Sequence, residues 1–309
     1  MKSLILYKNT KDIRIATLLS EAMVLQKFFS DVKYNNICSA FEYDIIISIN
    51  FRLPLELEYE LSKTKKIVFF TTENLYWNDA NEVCHGLKNN FYYDKLCNIS
   101  QIWILDGNNK TKEYLESMFD IKTSIIPLLW SPESILDSTH EKDRAYSIRI
   151  DSESTSVNNS SLMAILNSEV LYRSNKKLIK EIFFKENFNK NNILYLQKNL
   201  NIIRDGIIKF DKKSNYEILI SHQIDLSPNL DIFDAIFLKK LVIHNSKDIS
   251  NIGVYIKNYE KLLISKDGWS SIDDIRSAEL RAIDSEYLTA FHPKNSLVQI
   301  KIKEVLNSL

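Results

Sequence analysis

The chain has 309 residues, 45% of them hydrophobic and 26% charged, which excludes a disordered polymer and suits two α/β domains better than one. Lys and Arg number 40, as do Asp and Glu; the basic excess of a duplex-DNA-binding surface is missing, and a DNA partner is disfavoured without being ruled out. No apolar run approaches the ~20 residues of a membrane span, and MKSLILYKNTKD holds too short an apolar stretch for a secretory signal, so a cytoplasmic protein with no membrane span is expected.

Short β-rich runs alternate with helical stretches along the first half. Strands are predicted at Leu4–Tyr7, Asp44–Ile49, Ile67–Phe70, Ile102–Leu105 and Thr123–Pro127. A helix is predicted over Ile13–Phe29, where Ile15, Leu18, Leu19, Ala22, Leu25 and Phe29 fall near one face. The unbroken apolar runs IIISI and KIVFF read as strands buried on both sides, as in a parallel sheet covered by helices.

The pattern breaks over Leu128–Ala145, where LLWSPESILDSTHEKDRA carries Pro132, serines and a charge run; this stretch reads as a connection between domains, with Trp130 as a buried anchor. A second series follows, with strands predicted at Ser147–Ile150, Ile193–Leu196, Ile207–Phe210, Glu217–Ile220, Leu241–His244 and near Gly253–Ile256. From Ile283 the chain reads as helical with a break at His292-Pro293, and Leu297, Ile300 and Leu306 give the last helix a partial apolar stripe. The expected architecture is α/β with two Rossmann-like lobes and a cleft between them. The first lobe takes residues 1–135 and the second 146–290; a C-terminal helix, 291–309, crosses back to the first lobe.

Several chemistries are missing from the sequence. Five scattered glycines cannot supply G-x-G-x-x-G, and no Walker A loop, G-x-S-x-G elbow or H-E-x-x-H occurs. No Asp-x-Asp is present. Five histidines and three cysteines, none in a Cys-x-x-Cys spacing, argue against a zinc site and for reduced thiols. No cofactor and no metal is expected.

The polar residues instead collect after strands. Ser221, His222, Gln223 and Asp225 end or follow one predicted strand, and His244, Asn245 and Ser246 end or follow the next. In open α/β sheets ligands bind outside the carboxyl ends of the strands, so both groups are expected to meet a single ligand. The stretch LISHQIDLSPNLDIFDAIFLKKLVIHNS resembles the C-terminal lobe of a bacterial and phage family of unknown function. That family in turn looks like the two-lobed GT-B glycosyltransferases. Ser221, His222, Gln223, Asp225, Asn229, Asp234, His244, Asn245 and Ser246 carry the resemblance, with fainter matches over Ile125–Ser134 and Ile202–Phe210. It implies a nucleotide-sugar held by the second lobe and a glycan or other small acceptor held by the first.

Metal-free GT-B chemistry stabilises the departing diphosphate with positive charge and helix N-termini, and the Ser227-Pro228 start of a helix suits that task. Asp234 fits a ribose diol, since a carboxylate accepts two hydrogen bonds; otherwise it faces solvent or caps a neighbour. His222 is read as a diphosphate or sugar contact or a base, against a loop histidine bonded to backbone. His244-Asn245-Ser246 is read as a second ligand contact or a strand-terminal turn. Arg204 is within the faint match and is read as a phosphate contact, or as half of a surface pair with Asp205. On the acceptor side Glu73 and Asp79, in FFTTENLYWND, are candidates to take the acceptor proton, against a solvated loop. Two rivals stand beside a metal-independent glycosyltransferase. One is a phage-type transferase acting on modified DNA bases. The other is a non-catalytic nucleotide- or glycan-binding protein of the same fold, suggested by Asn158 or Asn159 standing where relatives carry a basic residue.

Overall fold

Parallel strands dominate the molecule, and they divide it into two compact units: Met1–Ser131 with Leu288–Leu309, and Pro132–Tyr287. The computed structural model describes residues 1–8, 12–72, 93–106, 109–119, 121–132, 146–153, 169–173, 179–184, 200–210, 216, 218–223, 230–238, 240–244, 263–264 and 286–309. In the first unit β1 (Lys2–Tyr7), α1 (Ile13–Leu25), β2 (Phe29–Tyr34), β3 (Ile45–Ile49), α2 (Leu55–Ser62), β4 (Lys66–Thr71), β5 (Gln101–Leu105), α3 (Asn109–Met118) and β6 (Thr123–Ile126) follow in order. The six strands form one parallel sheet in the order β2-β1-β3-β4-β5-β6. IIISI and IVFF are buried throughout, as continuous apolar runs covered on both faces must be. Trp103 meets Phe70 edge to face at 6.5 Å, and its Nε1 donates to Gln101 Oε1 at 3.0 Å. That bond spares the indole an unmet donor in the core.

The first helix is shorter than its apolar spacing predicts. Lys27 adopts a φ of 65°, and the Lys27 and Phe28 N–H groups turn back to Val24 and Met23. The helix therefore ends at Leu25, and Phe29, 55% exposed, opens the edge strand β2. An ion pair lies buried after β3: Arg52 binds Glu58 through two bonds. Burial pushes the Glu58 carboxyl up, and the guanidinium pulls it part of the way back.

The second unit contains β7 (Tyr146–Glu153), β8 (Ile179–Phe184), α4 (Asn201–Arg204), β9 (Ile208–Phe210), β10 (Ile218–Gln223), α5 (Leu230–Phe237), β11 (Leu241–His244) and β12 (Leu263–Ile264). Its sheet is also parallel, in the order β12-β11-β10-β7-β8-β9. Strands β8 and β12 were not anticipated from the sequence, whereas the strands predicted at Ile193–Leu196 and near Gly253–Ile256 lie outside the described residues. Helix α4 closes with Gly206 at φ 68° and a bond from Ile207 N–H to Ile202 O at 3.0 Å, the left-handed glycine stop of a Schellman turn.

The last helix, α6 (Ser296–Asn307), packs on α1 and β6 within the first unit. Asn295 caps it, its Oδ1 accepting from Leu297 N–H at 3.0 Å. With that phase the buried side chains are Val298, Ile302, Val305 and Leu306, while Leu297 and Ile300 stand 67% and 54% exposed. The expected stripe is thus corrected: Val298 and Ile302 take the core positions expected of Leu297 and Ile300, and Leu306 keeps its own. Trp130 is buried, and its N–H donates to Phe291 O at 2.9 Å. Among the described residues no helix is long and apolar enough to cross a membrane.

One carboxylate organises the start of α4. Glu169, in the helical turn 169–173, accepts from the N–H groups of Asn201 and Ile202, both at 3.0 Å, from the Asn201 amide at 2.7 Å, and from Arg173. Burial alone would raise its pKa; the two backbone donors, Arg173 and the Asn201 amide outweigh burial and lower it. A depressed folded pKa contributes stability that is complete above the ordinary carboxylate value of ~4.3 and disappears as pH falls through the folded one. Glu169→Gln is therefore expected to destabilise the protein by about 1–3 kcal/mol at neutral pH. Urea unfolding at a series of pH values should show that gap closing in acid.

Candidate functional site

The second sheet changes direction between its first and fourth strands. Read from β9, its order runs third, second, first, fourth, fifth, sixth, so β7 and β10 lie side by side with their connections leaving in opposite directions. The crevice outside their carboxyl ends is the usual ligand position in such sheets.

The ladder shows which residues share each level there. Ser221 is level with Asp151 on one side and His244 on the other, His222 with Ser152, and Gln223 with Glu153. Partners at one level of a parallel ladder share a face, and successive residues alternate. His222 and His244 therefore occupy alternate positions of the pleat rather than adjoining ones. The register sets these residues in two rows, Asp151–Ser221–His244 and Ser152–His222.

Asp151, Ser152 and Glu153 went unnoticed in the sequence because the predicted strand stopped at Ile150, where the apolar residues end. The polar/apolar alternation of SIRI stops at Ile150, so no local signal carries the strand on through Asp151–Glu153.

Helix α5 starts beyond the β10 tip and packs on β10 and β11. It is buried along most of its length, and Asp234, only 5% exposed, sits among Ile232, Phe233, Ala235 and Ile236. A solvent-facing Asp234 is excluded. Asp231, half-buried, is the acid of the first turn, and sequence reasoning had passed over it.

Arg204 does not join this group. It ends α4, just before β9, and so lies at the amino end of a parallel strand, opposite the edge that carries His222 and His244. There it is largely exposed, 3.6 Å from Asp205 and bonded to Asn201. The surface-pair reading of Arg204 holds and its place among the donor contacts is withdrawn. Asp225, Asn229, Asn245, Ser246, Glu73 and Asp79 lie outside the described residues. Among the described residues no three His, Cys, Asp or Glu side chains gather as metal ligands.

The architecture is shared with solved nucleotide-sugar enzymes of GT-B type. The pneumococcal O-GlcNAc transferase GtfA, solved with UDP and GlcNAc, superposes with a TM-score of 0.56 at 14% identity, over 85% of this chain and 56% of that one. TarM gives 0.51 at 11% identity, over 85% and 53%; this chain thus spans little more than half the length of these two proteins. The UDP-GlcNAc 2-epimerase of Methanocaldococcus jannaschii gives 0.54 at 12% identity over 100% of both chains. No curated protein sequence matches. The chain belongs to the family described as "Protein of unknown function (DUF2827)", whose model matches residues 15–301.

The switch-point assignment separates two substitutions. If the wild type binds UDP, Ser152→Trp, level with His222 in the ladder, should abolish that binding in calorimetry. Arg204→Ala should bind UDP as the wild type does.

Proposed function

We propose that this protein is a glycosyltransferase that takes a sugar from a nucleotide-sugar held by the second unit and passes it to a glycan or other small acceptor on the first, without a metal. The observation that carries this reading is the switch point of the second sheet, where a Ser-His-Gln strand end lies level with an Asp-Ser-Glu one. Likeness to GT-B structures, at 14% identity or below, supports the fold.

In this reading the carboxylates and amides at the strand tips take sugar and ribose hydroxyls. Asp225, Asn229, Asn245 and Ser246 complete the donor contacts. Asp234, buried within α5, orients the helix or the nucleotide diol. His222 contacts the diphosphate or the sugar, and as an imidazolium it stabilises the departing charge. Glu73 or Asp79 takes the proton of the acceptor hydroxyl as the new glycosidic bond forms and the nucleoside diphosphate leaves.

A second reading is drawn from the UDP-GlcNAc 2-epimerase, which this chain matches over 100% of both chains with a TM-score of 0.54. An enzyme of that kind would convert a UDP-sugar to its stereoisomer and release no nucleoside diphosphate. Balanced charge gives little support to a transferase acting on DNA.

Calorimetry with UDP-, GDP-, CMP- and TDP-sugars tests the donor site, and selective binding of one class is expected. Incubation with the bound sugar in EDTA should release the free nucleoside diphosphate slowly. An isomeric UDP-sugar instead would establish the epimerase, and binding with no change at all would establish a binding protein. His222→Ala should lower turnover by about tenfold or more while the protein stays folded; a wild-type rate would remove His222 from the chemistry.

A further inference from the structure

The first sheet ends on an uncovered strand. β2 stands last in the order β2-β1-β3-β4-β5-β6 and, among the described residues, pairs with β1 alone. Asn35 N–H donates to Tyr7 O at 2.9 Å, and Ser3 Oγ donates to Phe29 O at 2.9 Å. In a parallel ladder each residue sends its N–H and C=O to the same neighbour, and the next residue sends its pair the other way. Phe29, Asp31 and Lys33 therefore address β1, while Ser30, Val32 and Tyr34 turn their backbone groups outward. Ser20 Oγ reaches Ser30 O at 3.1 Å; among the described residues no strand takes up the outward groups of Val32.

Unpaired N–H and C=O groups invite a further strand, and a lysine in an edge strand commonly blocks it. β2 reads FSDVKY, so a blocked edge is the plain interpretation of Lys33. Two features argue otherwise. Asp31 stands two residues before Lys33 on the same face, and Tyr43 engages both: its hydroxyl donates to Asp31 Oδ2, and Lys33 Nζ lies 5.3 Å from its ring centroid. The strand also begins and ends in rings, Phe29 and Tyr34, that are 55% and 60% exposed, and apolar surface along an open edge favours association.

The pattern of charges selects one partner. Two identical edges meet about a two-fold axis when the strands run antiparallel, and outward groups must then face outward groups. A pair centred on Val32 satisfies this, setting Val32 against Val32, Ser30 against Tyr34, and Asp31 against Lys33 of the other copy, twice over. Sliding one copy by two residues, the next register the outward groups allow, sets Asp31 against Asp31 in one direction and Lys33 against Lys33 in the other. In the favoured register the Asp31–Lys33 pairs are the ones without backbone bonds, where Cα atoms approach to about 4.5 Å and facing side chains interact most.

We propose that the first unit binds a second copy of this chain through β2, antiparallel and centred on Val32, with the two Asp31–Lys33 pairs fixing the register. Charge complementarity of the strand with itself identifies the occupant. The proposal stands apart from the transferase reading and does not depend on it.

Sedimentation velocity of the full chain over a range of concentrations should show a monomer–dimer equilibrium. Lys33→Asp sets acid against acid at both pairs, and Asp31→Lys sets base against base; each should weaken the dimer by about tenfold or more. The double variant, Asp31→Lys with Lys33→Asp, restores opposite charges across the axis and should recover the dimer, a result that misfolding cannot give. Val32→Cys reads the position separately. Facing residues of a hydrogen-bonded antiparallel pair lie about 5.5 Å apart at Cα, within disulfide reach, so mild oxidation should give an intermolecular disulfide at position 32, identified by peptide mass spectrometry. Thr123→Cys, on the opposite edge strand β6, should give none. A wild type that is monomeric at every concentration overturns the proposal. So does a dimer that both single charge reversals leave intact, a folded double variant that stays monomeric, or a Val32→Cys chain that crosslinks no more than Thr123→Cys.

Discussion

Everything functional in this protein depends on the direction of its strands. In each sheet all six run the same way, so the chain always leaves the sheet at one edge and enters at the other. Strand interiors must be apolar because helices cover both faces. In the second sheet polar residues occupy the last ladder positions of β7 and β10, Asp151–Glu153 level with Ser221–Gln223. A parallel sheet therefore sorts its own chemistry: Asp151 to Glu153 with Ser221 to Gln223, in the second unit, stand at exit edges. Arg204, at an entry edge, is excluded by the same rule.

The character of the second-unit edge constrains what it can hold. The β7 tip brings two acids, Asp151 and Glu153, level with Ser221 and Gln223. Acids accept hydrogen bonds from hydroxyls and repel phosphate, so this side of the crevice suits the sugar or ribose part of a ligand better than its diphosphate. Among the described tip residues His222 and His244 are the groups able to carry positive charge near neutrality.

Much of the fold was legible in the sequence because the double-sided burial of a parallel sheet writes itself as runs such as IIISI and KIVFF. Where burial is partial the signal fades. The edge strand β2, FSDVKY, has no fully buried residue and was not predicted; its first residue, Phe29, was taken into the preceding helix, whose stop depends on the positive φ of Lys27 rather than on glycine or proline. The phase of α6 was misjudged because Leu297 and Ile300 are as apolar as the Val298 and Ile302 that face the core, so hydrophobicity alone does not tell the two faces apart. For the sites the limit is different. Residue types announce the strand ends around His222 and His244, but strand order decides which ends are neighbours. That the first strand of the second unit lies beside the fourth, bringing Asp151–Glu153 to Ser221–Gln223, is a long-range fact with no local trace.

The central claim is that the crevice between β7 and β10 binds a nucleotide-sugar. Nitrogen-15 NMR of the histidine rings, followed during titration with UDP-GlcNAc, tests it most directly, because the chain holds only five histidines and His292 belongs to the first unit. The account predicts a saturable shift of the His222 ring while His292 stays still. A His222 resonance unmoved by UDP-GlcNAc and by the corresponding GDP-, CMP- and TDP-sugars, or a shift confined to His292, would contradict it.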